Sequence, residues 1–567
     1  MSRLPQESKK SAKTELKVIE EVAKSAGIRK NFIQSYGPYR AKLSLDLIKK
    51  AGKKQSSKYV LITSITPMLH GEGKTTTAIG LSMALNRLKK KSIACIPQPS
   101  LSAIFGVKGA GTGGGLSQVL PGEDANLHLA DDSHAVTYAH NLCAAYIDNS
   151  LYRGNPLDLD TDSIAWKRAV DINDRSLRNV NTSTGGKADG ANRKTGFDIA
   201  SSSELMAILT LSDNLNDMRQ RIGRIIVGYT KKGRPVTCED IKTAGAMAAL
   251  LKNAIKPNIL QTTGGNACFM HGGSISTISV GSSSLIADRI AMALCDYTIT
   301  EGGFGAELGA EKFFDIKCRA SGLMPNVAVL VCTARAFKMH SGDYEIAAGK
   351  PLPREITREN IFAIEKGLSN LEKEMENMNV FGVPVIVCIN RFADDSDKEV
   401  SIIKRRATNC GASAVVVSEV YAKGAEGGLE LAHAVVELSK LKPKFRFLYP
   451  INMPIKDKIK RIATTIYGAS EIKFSELANK KALMLKKLKL DAMPVCIAKT
   501  HLSLSYNPKR KGRPHGFKLP ITDIGVANGA SYITAFSENV RTMRGLPKVP
   551  RGTKIDIDDE GKIKGLL

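Results

Sequence analysis

Short apolar runs and amphipathic stretches alternate along this chain in the order expected of an α/β protein. Residues 59–62 are apolar and β-branched, which predicts a buried strand. Ile79 and Met83 follow near helical spacing and predict a helix that starts near Thr75. Ser92–Ile96 is the next apolar run, so this part of the chain predicts a β-α-β unit in a parallel sheet.

A similar alternation occupies the second half of the chain. Apolar runs predict strands at 327–333, 384–389, 414–420, 445–449 and 495–498, and amphipathic stretches predict helices at 361–378, 395–406 and 428–438. The pattern favours a doubly wound, mostly parallel core, with a second parallel-sheet unit from residue 381 and a loop-rich tail. Residues 1–56 are predicted to be mostly helical and amphipathic.

The stretch between the first strand and the first core helix has the chemistry of a phosphate site. Its sequence is G-E-G-K-T at residues 71–75. Backbone N–H groups at a helix start face anionic ligands, and the helix dipole favours negative charge there. Lys74 would reach the terminal phosphates, and the Thr75 hydroxyl would ligate Mg²⁺. The common phosphate-loop pattern has a glycine where this chain has Met68, so a plain strand-to-helix turn with an exposed lysine is the alternative.

Two glycine-rich stretches and one aromatic residue are candidates for the lining of a ligand site. Residues 105–118 follow a core strand and carry too many glycines for a packed element, so they predict a loop whose backbone can approach a ligand. A flexible linker is the alternative. Residues 266–284 predict a second loop-like lining. Phe304 lies between glycines, which suits a ring exposed in a cleft, although a simple turn fits the local sequence as well.

Three evenly spaced histidines raise the question of a shared metal site. His128, His134 and His140 are spaced by six residues, around a predicted helix at 135–146. That spacing places them on different faces of a helix. A metal ion needs ligands that converge, so the spacing predicts separate polar or core histidines instead.

Composition is that of a globular protein, with 43% hydrophobic and 24% charged residues. Apolar runs stay below the roughly 18 residues needed to span a bilayer, and residues 1–17 have no apolar segment typical of a secretory signal. The ten cysteines include no Cys-x-x-Cys pair, and several lie in apolar strands. We therefore expect reduced, buried thiols and a cytoplasmic location.

The net charge of +27 has three interpretations. A nucleic-acid partner is disfavoured, because the basic residues are spread along the whole chain and aromatic residues make up only 5%. Attraction of small polyanions, such as ATP or a substrate with several carboxylates, is the second interpretation. A solvated basic surface is the third.

Several longer stretches occur together in one order. They are T-P-M-L-H-G-E-G-K-T-T-T at 66–77, F-G-V-K-G at 105–109, H-A-V-T-Y-A-H-N-L at 134–142, T-E-G-G-F-G-A-E-L-G-A-E-K-F at 300–313, Y-A-K-G-A-E-G-G-L-E-L-A at 421–432 and G-L-P-K at 545–548. With these stretches the chain resembles the formate–tetrahydrofolate ligase family along nearly its whole length.

The resemblance implies an enzyme that works in two steps. ATP phosphorylates formate to formyl phosphate, and the N10 amine of tetrahydrofolate then attacks the formyl carbon, so that phosphate leaves. The implied fold is α/β, with a large phosphate-loop domain over residues 1–360 and smaller domains over 361–453 and 454–567. The implied assembly is a homotetramer that acts on small molecules, not on nucleic acid or a membrane, and a monovalent cation commonly helps.

The resemblance also implies which residues form the site. The loop that would hold the ATP phosphates consists of Met68, Leu69, His70, Gly71, Glu72, Gly73, Lys74 and Thr75. Asp132 is expected to face formyl phosphate and to act in catalysis together with Lys74. Phe304 is expected to stack on the folate ring, with Tyr421 in the place of the family's second stacking aromatic residue.

One departure from the family pattern affects the expected chemistry. Pro97 stands where the family has an arginine that holds formyl phosphate. Proline has no side-chain donor, so a cation at another position would have to replace the arginine. The candidates are Lys108 in the glycine-rich loop and His501. The alternative function is that of a catalytically weakened homologue, which binds ATP or folate in a regulatory role.

Overall fold

A large, mostly parallel sheet forms the centre of the protein. The computed structural model describes residues 15–50, 57–105, 111–127, 129, 132–273, 276–344, 346 and 352–566. Over these residues the fold is mixed α/β, and helices cover both faces of the central sheet. The predicted α/β class is therefore confirmed. The candidate residues Lys108 and His128 lie outside the described residues.

The strands are short and occur along the whole chain. In the first half they are β1 (Ile33–Ser35), β2 (Ala41–Leu43), β3 (Lys58–Ser64), β4 (Ser92–Ile96), β5 (Gly113–Gly114), β6 (Ser117–Leu120), β7 (Arg168–Val170), β8 (Val180–Thr182), β9 (Arg193–Thr195), β10 (Phe197–Ile199), β11 (Ile226–Tyr229), β12 (Pro235–Thr237), β13 (Asn258–Thr262) and β14 (Ala267–Met270). In the second half they are β15 (Tyr297–Glu301), β16 (Val327–Cys332), β17 (Val385–Asn390), β18 (Ala414–Ser418), β19 (Glu471–Phe474), β20 (Val495–Ala498), β21 (Lys518–Ile521), β22 (Asp523–Ala527), β23 (Tyr532–Phe536), β24 (Asp556–Ile557) and β25 (Ile563–Lys564).

The helices range from single turns to six turns. They are α1 (Ile19–Ser25), α2 (Asp46–Lys50), α3 (Lys74–Arg87), α4 (Ser102–Phe105), α5 (Gly122–Leu127), α6 (Asp132–Tyr152), α7 (Glu204–Leu211), α8 (Leu215–Arg224), α9 (Ala244–Leu250), α10 (Leu285–Leu294), α11 (Arg319–Ser321), α12 (Ala334–His340), α13 (Ile361–Gly367), α14 (Ser369–Val380), α15 (Asp397–Asn409), α16 (Val420–Lys423), α17 (Leu429–Leu438), α18 (Ile455–Thr465) and α19 (Glu476–Lys487). Wide π-helical turns at Ala306–Ala310 and Phe313–Cys318 precede α11.

The central sheet has the strand order β1-β2-β13-β14-β4-β15-β3-β16-β17-β18. From β14 to β18 each neighbouring pair is parallel, whereas β1, β2, β13 and β14 pair antiparallel at one side. Strand β15 is inserted between β3 and β4, and Ile299 lies opposite Val60 and Ala94. The predicted unit of strand, helix and strand at the start of the core is confirmed, with α3 beginning at Lys74.

Side chains of β3 alternate between two apolar layers. Leu61 packs in one cluster with Phe314, and Val60 packs in another with Leu81 and Leu85 of α3. A strand that is buried on both faces needs apolar residues at every position, which explains the unbroken apolar run. The same reasoning applies to Val327–Cys332, which is buried at every position.

The strands after residue 381 extend this same sheet. Strand β17 pairs with β16, and β18 pairs with β17, both in parallel register. The predicted second parallel-sheet unit is thus a continuation of the first, since one sheet crosses residue 360. The domain boundaries at 360 and 453 stay a prediction.

Three predictions of local structure are wrong. Residues 266–284 are not one loop, because Ala267–Met270 form the buried strand β14. Residues 445–449 form a loop, because Phe445 packs on Phe314 with ring centroids 5.7 Å apart and Phe447 lies 3.9 Å from the Arg319 guanidinium. The start of the chain is only partly helical, because β1 and β2 complete the antiparallel side of the sheet. The pairing of Lys42 with Asn258 shows how tertiary contacts override a local helical pattern. Residues 1–14 and 51–56 lie outside the described residues.

The chain after residue 498 carries more regular structure than the loop-rich tail that was predicted, because it contains β21, β22, β23, β24 and β25. The predicted strand at Val495–Ala498 is confirmed as β20, and it joins β23 and β22 in a three-stranded sheet. Across the described part of the chain, every helix is too short or too polar to cross a membrane.

Candidate active site

A cavity of about 410 Å³ opens at the carboxyl edge of the parallel strands. Its walls come from the segments that follow β3, β4, β15, β17 and β18, together with the glycine-rich loop and His501. The lining residues include Met68, Leu69, His70, Gly71, Glu72, Gly73, Lys74, Thr75, Pro97, Gln98, Gly114, Glu301, Phe304, Asn390, Phe392, Tyr421 and His501. Ligands of open α/β sheets bind at this edge, so the cavity is the candidate active site.

The loop between β3 and α3 is held by a buried carboxylate. The Met68 N–H donates to Glu72 Oε1 at 2.9 Å, and the Thr333 hydroxyl donates to Glu72 Oε2 at 2.6 Å. Asn390 Nδ2 donates to the Glu72 carbonyl at 3.1 Å. Gly73 has φ +81, and a Cβ there would lie 2.5 Å from Asn390 Nδ2, so the position needs glycine for both reasons.

Burial changes the acidity of Glu72. Its side chain is 1% exposed, and desolvation raises its pKa to about 6, while the bond from Thr333, the Met68 N–H and the charge of Lys74 oppose the rise. The carboxyl group therefore changes charge within the range in which most proteins are studied. Since this group fixes the shape of the loop, its protonation matters for the site.

Lys74 and Thr75 are the first two residues of helix α3, and each contacts a polar side chain of a neighbouring strand. Lys74 Nζ donates to Ser64 Oγ at 3.3 Å, and the Thr75 hydroxyl donates to Glu301 Oε2 at 2.9 Å. Burial lowers the pKa of Lys74, although the carboxylates of Glu301 and Glu72 act to raise it. Of the described residues that line the cavity, Lys74 is the only lysine or arginine. An anion bound at this helix start would meet one fixed cation and the free N–H groups of the first turn.

The oxygen atoms of Thr75 and Glu301 suit Mg²⁺. This ion prefers hard oxygen ligands and usually takes only one or two from the protein, with phosphate and water completing the shell. Within the described ranges, no group of three or more His, Cys, Asp or Glu side chains is arranged to hold a metal ion by itself. A hydroxyl and a carboxylate beside a phosphate-sized space therefore fit a magnesium–phosphate complex better than a purely protein-held metal.

Phe304 is more buried than the sequence predicted. Its side chain is 8% exposed, and its ring stacks on His501 with centroids 4.5 Å apart and an interplanar angle of 29°. Its φ of +64 is in the left-handed region, which costs a non-glycine residue roughly 1–3 kcal/mol. The Ser64 hydroxyl donates to the Phe304 carbonyl at 3.1 Å and helps to hold this conformation.

Tyr421 lies on the opposite wall and is 54% exposed. It belongs to the short helix α16, which the glycine-rich loop contacts through its backbone. The Leu116 N–H donates to the Tyr421 carbonyl at 2.8 Å, and a Cβ on Gly115 would lie 2.1 Å from that oxygen. A Cβ on Gly114 would lie 3.0 Å from the tyrosine ring. The glycines therefore allow the loop to approach Tyr421, and the predicted approach of this loop to a ligand stays a prediction.

Asp132 lies behind this cavity and does not line it. It begins helix α6 and accepts hydrogen bonds from Lys42 Nζ at 2.5 and 2.7 Å and from Asn258 Nδ2 at 2.9 Å. It borders a second cavity of only about 10 Å³, whose walls include Gln98 and Pro99. Because Gln98 and Pro99 line both cavities, Asp132 is one residue layer from the main site. Its role at formyl phosphate stays a prediction.

The position of the missing arginine also lies in the cavity wall. Pro97 lines the main cavity, and so does His501, one of the two candidate replacements. The other described cation nearby is Arg335, whose guanidinium lies 4.0 Å from the centre of the Phe392 ring. Phe392 lines the cavity itself. Burial first, and the charge of Arg335 second, lower the pKa of His70.

The two described histidines of the six-residue series have separate surroundings, as predicted. His140 is a core residue that stacks on Trp166 with centroids 4.1 Å apart, and its Nδ1 lies 2.9 Å from the Ser203 hydroxyl. Burial lowers its pKa to about 4. His134 borders the small cavity beside Asp132.

Comparison with known proteins places these residues in a family. The family model described as formate–tetrahydrofolate ligase matches residues 5–567. The chain belongs to this ligase family. Proteins named formate–tetrahydrofolate ligase are similar along their whole length: that of Desulforamulus reducens is 47% identical over 567 residues, which is 100% of both chains. That of Saccharopolyspora erythraea is 47% identical over 98% of both chains, and that of Roseiflexus sp. is 47% identical over 97% of this chain and 98% of its own.

Three residues of this ligase-family site were missed by the sequence analysis. They are Glu301, which accepts from Thr75, Asn390, which holds the loop at Glu72, and Phe392. Each follows or ends a parallel strand on the carboxyl side. Attention to polar and aromatic residues directly after each predicted strand would have found Asn390 and Phe392, which follow the predicted strand at 384–389. Glu301 ends β15, a strand that was not predicted.

The acidity of Glu72 predicts a pH-dependent stability. The folded pKa lies above the unfolded value, so the folded protein loses stability as pH rises through about 6, by about 2 kcal/mol in total. Glu72→Gln removes this titration, and glutamine can still accept from the Met68 N–H. We expect the melting temperature of Glu72→Gln, relative to the parent, to increase between pH of about 4 and about 7.5 in thermal unfolding scans.

The matched control is Glu426→Gln, since that carboxylate is exposed beside Arg87. Its melting temperature should follow the parent with little change across the same pH range. A constant difference between Glu72→Gln and the parent at every pH would contradict the assigned acidity.

Proposed function

We propose that this chain ligates formate to tetrahydrofolate at the expense of ATP, giving 10-formyltetrahydrofolate, ADP and phosphate through formyl phosphate. The observation that carries the proposal is the single cavity that brings Lys74 and Thr75 together with Phe304 and Tyr421. A phosphate-binding wall and an aromatic wall in one space suit an enzyme that joins a phosphorylated acid to a flat heterocycle. Family membership supports the same reaction.

In this proposal the loop from Met68 to Thr75 acts as a phosphate loop. Lys74 places a fixed positive charge on the terminal phosphates, and the first N–H groups of α3 bind the same oxygens. Thr75 and Glu301 would hold Mg²⁺, which would supply positive charge beside the phosphates. Formate oxygen attacks the γ-phosphorus, the bond to the β-phosphate oxygen breaks, and ADP leaves with that bond's electron pair. The residues orient the reactants and keep the charge compensated.

The second half of the reaction uses the aromatic wall. We assign the pterin ring to the space between Phe304 and Tyr421, where each stacked ring contributes about 0.5–1.5 kcal/mol beyond its burial. His501 already covers one face of Phe304, so the pterin would use the remaining face. The N10 amine then attacks the formyl carbon, phosphate leaves with the bonding electrons, and the amine proton passes to solvent or phosphate.

The formyl-phosphate position is the least charged part of this proposed site. Pro97 cannot donate a hydrogen bond, so the negative charge would depend on Lys74, on His501 when protonated, and on Lys108 outside the described residues. Asp132 would act here only through the shared wall at Gln98, because its carboxylate is paired with Lys42. The resemblance also implies help from a monovalent cation, which we include in the proposal.

We also propose a cytoplasmic homotetramer. Nine of the ten cysteines are buried as free thiols, which suits a reducing compartment.

Helix α6 contains no lysine or arginine although the chain carries 82 of them, and it exposes Tyr138, Tyr146 and Tyr152 by 67%, 41% and 47%. These tyrosines share about a third of the helix circumference. Protein interfaces are rich in tyrosine and poor in lysine, and two chains of charge +27 approach most easily where cations are absent.

The phosphate-binding wall and the aromatic wall predict defects that concern different substrates. Lys74→Ala should lower formate-dependent ADP release about 100-fold or more, because a preorganised charge is lost from the transferring phosphate. Phe304→Ala should raise the KM for tetrahydrofolate several-fold to about tenfold and leave the KM for ATP nearly unchanged. The measurement is ADP release with tetrahydrofolate, with formate present and absent.

Each variant serves as the control for the other, since both residues line one cavity but contact different substrates in the proposal. Equal losses for ATP and tetrahydrofolate in Phe304→Ala would indicate a general packing role. Full formate-dependent turnover in folded Lys74→Ala would refute the phosphate-loop assignment.

The substitution at the arginine position predicts a gain of function. An arginine clamp in phosphoryl transfer contributes on the order of 10³–10⁵ in rate, so Pro97→Arg should raise kcat at saturating formate by at least about tenfold if no cation has replaced it. Pro97→Gln, which adds a donor without charge, is the matched control. No gain in Pro97→Arg, together with rapid turnover of the parent and its collapse in Lys108→Ala, would mean that the charge is supplied from the glycine-rich loop.

The surface of α6 predicts a cross-link at the centre of a two-fold contact. Ala145 is exposed between the tyrosines, so Ala145→Cys should form a disulfide-linked dimer on mild oxidation if two copies pack α6 on α6. Leu483→Cys, at an exposed position on α19, is the control and should stay monomeric on a non-reducing gel. Equal cross-linking of the two variants, or a monomeric parent in light scattering, would contradict the assignment.

A further inference from the structure

The residue that joins β3 to the phosphate-loop segment is held at every polar atom. The Thr66 N–H donates to Asn370 Oδ1 at 3.2 Å, and His340 Nε2 donates to the Thr66 carbonyl at 2.7 Å. The Thr66 hydroxyl accepts from Asn370 Nδ2 at 3.1 Å and donates to Glu374 Oε1 at 3.0 Å. Gly512 joins the same group, since its N–H donates to His340 Nδ1 and its carbonyl accepts from Asn370. This network ties the loop entrance to α14 and to the last part of the chain.

Glu374 is the carboxyl-bearing member of the network and is fully buried. Both of its oxygens accept hydrogen bonds, one from Thr66 and one from Asn377 Nδ2 at 3.0 Å. A buried carboxylate without a cation is costly unless its oxygens are satisfied in this way. The role of Glu374 is therefore to orient Thr66, which immediately precedes the Pro67–Lys74 segment of the cavity wall.

A second buried carboxyl group faces Glu374. Glu307 belongs to the first π-helical turn after Phe304, and its carboxyl contacts that of Glu374. Among the described residues, no donor reaches either oxygen of Glu307. On its other side, a Cβ on Gly305 would lie 2.0 Å from Glu307 Oε2 and 3.0 Å from Thr66 Cα. Glu307 thus fills the space between the Phe304 segment and Thr66.

Two carboxyl groups in contact need a proton between them. Two carboxylates would both be acceptors and would repel, and burial in a medium of low dielectric strengthens that repulsion. Desolvation first, and the Glu307 carboxyl second, raise the pKa of Glu374 well above its usual value. A shared proton converts the repulsion into a short charge-assisted hydrogen bond.

Other charged groups face the pair from each neighbouring element. They are Lys373 from α14, Lys74 from α3, and Tyr467 and Lys499 from the last part of the chain. Glu311 and Lys312 follow Glu307 in the π-helical segment and interact with each other. Burial lowers the pKa of Lys499 to about 8, and its ammonium group donates to the carbonyls of Thr500 and Ser503. The ammonium groups of Lys74, Lys373 and Lys499 donate hydrogen bonds to other acceptors, and their charges act on the acid pair without a hydrogen bond to it.

We infer that Glu307 and Glu374 are a proton-sharing acid pair that positions both walls of the cavity, the phosphate loop through Thr66 and the Phe304 segment through Gly305. The two acids touch no substrate in the arrangement above, so they are positioning residues. The inference rests on the proposed function for its meaning in catalysis. The contacts of the buried pair with the two loops do not depend on that function.

The first test measures loop order directly by hydrogen–deuterium exchange of the full-length chain without ligands. Glu374→Ala removes the acceptor of Thr66, so amides in 66–76 and 302–306 should exchange about tenfold faster or more. Glu374→Gln should keep exchange close to that of the parent, because its oxygen can accept from Thr66 and its amide can donate to Glu307. Asn377 Oδ1 has no partner among the described residues, so that amide can flip to accommodate the change.

Glu376→Ala is the matched control, because Glu376 lies on the same helix but is half-exposed beside Arg513. It should leave exchange in both segments unchanged. Unchanged exchange in Glu374→Ala, or equal acceleration by Glu374→Gln and Glu374→Ala, would overturn the inference.

The second test uses pH. Because the pKa of Glu374 is raised in the folded protein, its protonated carboxyl stabilises the fold fully below the usual carboxyl range, and this contribution is lost as pH rises through the folded pKa. The melting temperature of Glu374→Gln, relative to the parent, should therefore increase as pH rises above the usual carboxyl range. Glu307→Gln is measured in the same way, so that the coupling between the two positions can be determined. In the double variant Glu307→Gln/Glu374→Gln the two effects should not add. A difference that is constant with pH would indicate packing without a shared proton and would overturn the pair.

Both readouts are independent of turnover, so the two proposals can fail separately. Absence of formate-dependent ADP release in the parent, with the exchange and pH effects intact, would refute the ligase activity and leave the pair in place. Normal turnover with flat exchange and pH responses would refute the pair and leave the activity.

Discussion

The parallel hydrogen bonding of β3 between β15 and β16 is the constraint on which the site depends. Because these strands and their neighbours β4, β17 and β18 run in one direction, their carboxyl ends meet at one edge. Lys74, Glu301 and Asn390 come from distant parts of the sequence and meet there. A slip of one residue in β3 would exchange its two apolar layers and move the loop entrance, so the packing of both faces protects the register.

Much of the core could be predicted from the sequence, because its strands are continuous apolar runs and its helices are amphipathic. The elements β3, α3, β4, β16, β17, β18 and β20 were found in this way. The loop at 445–449 was not, since its aromatic residues pack on Phe314 and Arg319 from far away in the sequence. The edge strands β1 and β2 were missed for a related reason: only their pairing with β13 makes them strands.

Single residues of the site could be predicted from the sequence, but the contacts between them could not. A glycine-rich turn before Lys74 and a phenylalanine between glycines are local signals, and both residues line one cavity. The contacts of Glu72 with Thr333, of Phe304 with His501 and of Thr66 with Glu374 join positions about 200 residues apart or more. Local patterns cannot give such pairs. Asp132 illustrates the limit, because its ion pair with Lys42 sets it one residue layer behind the cavity.

The contact between the glycine-rich loop and Tyr421 limits how this cavity can be re-engineered. Gly115 approaches a backbone carbonyl, so it excludes any side chain whatever aromatic residue stands at 421. Gly114 approaches the ring itself, so its tolerance depends on the size of that ring. Widening the aromatic wall for a bulkier heterocycle therefore requires that positions 114 and 421 be chosen together, whereas Gly115 has to be kept whichever ring stands at 421.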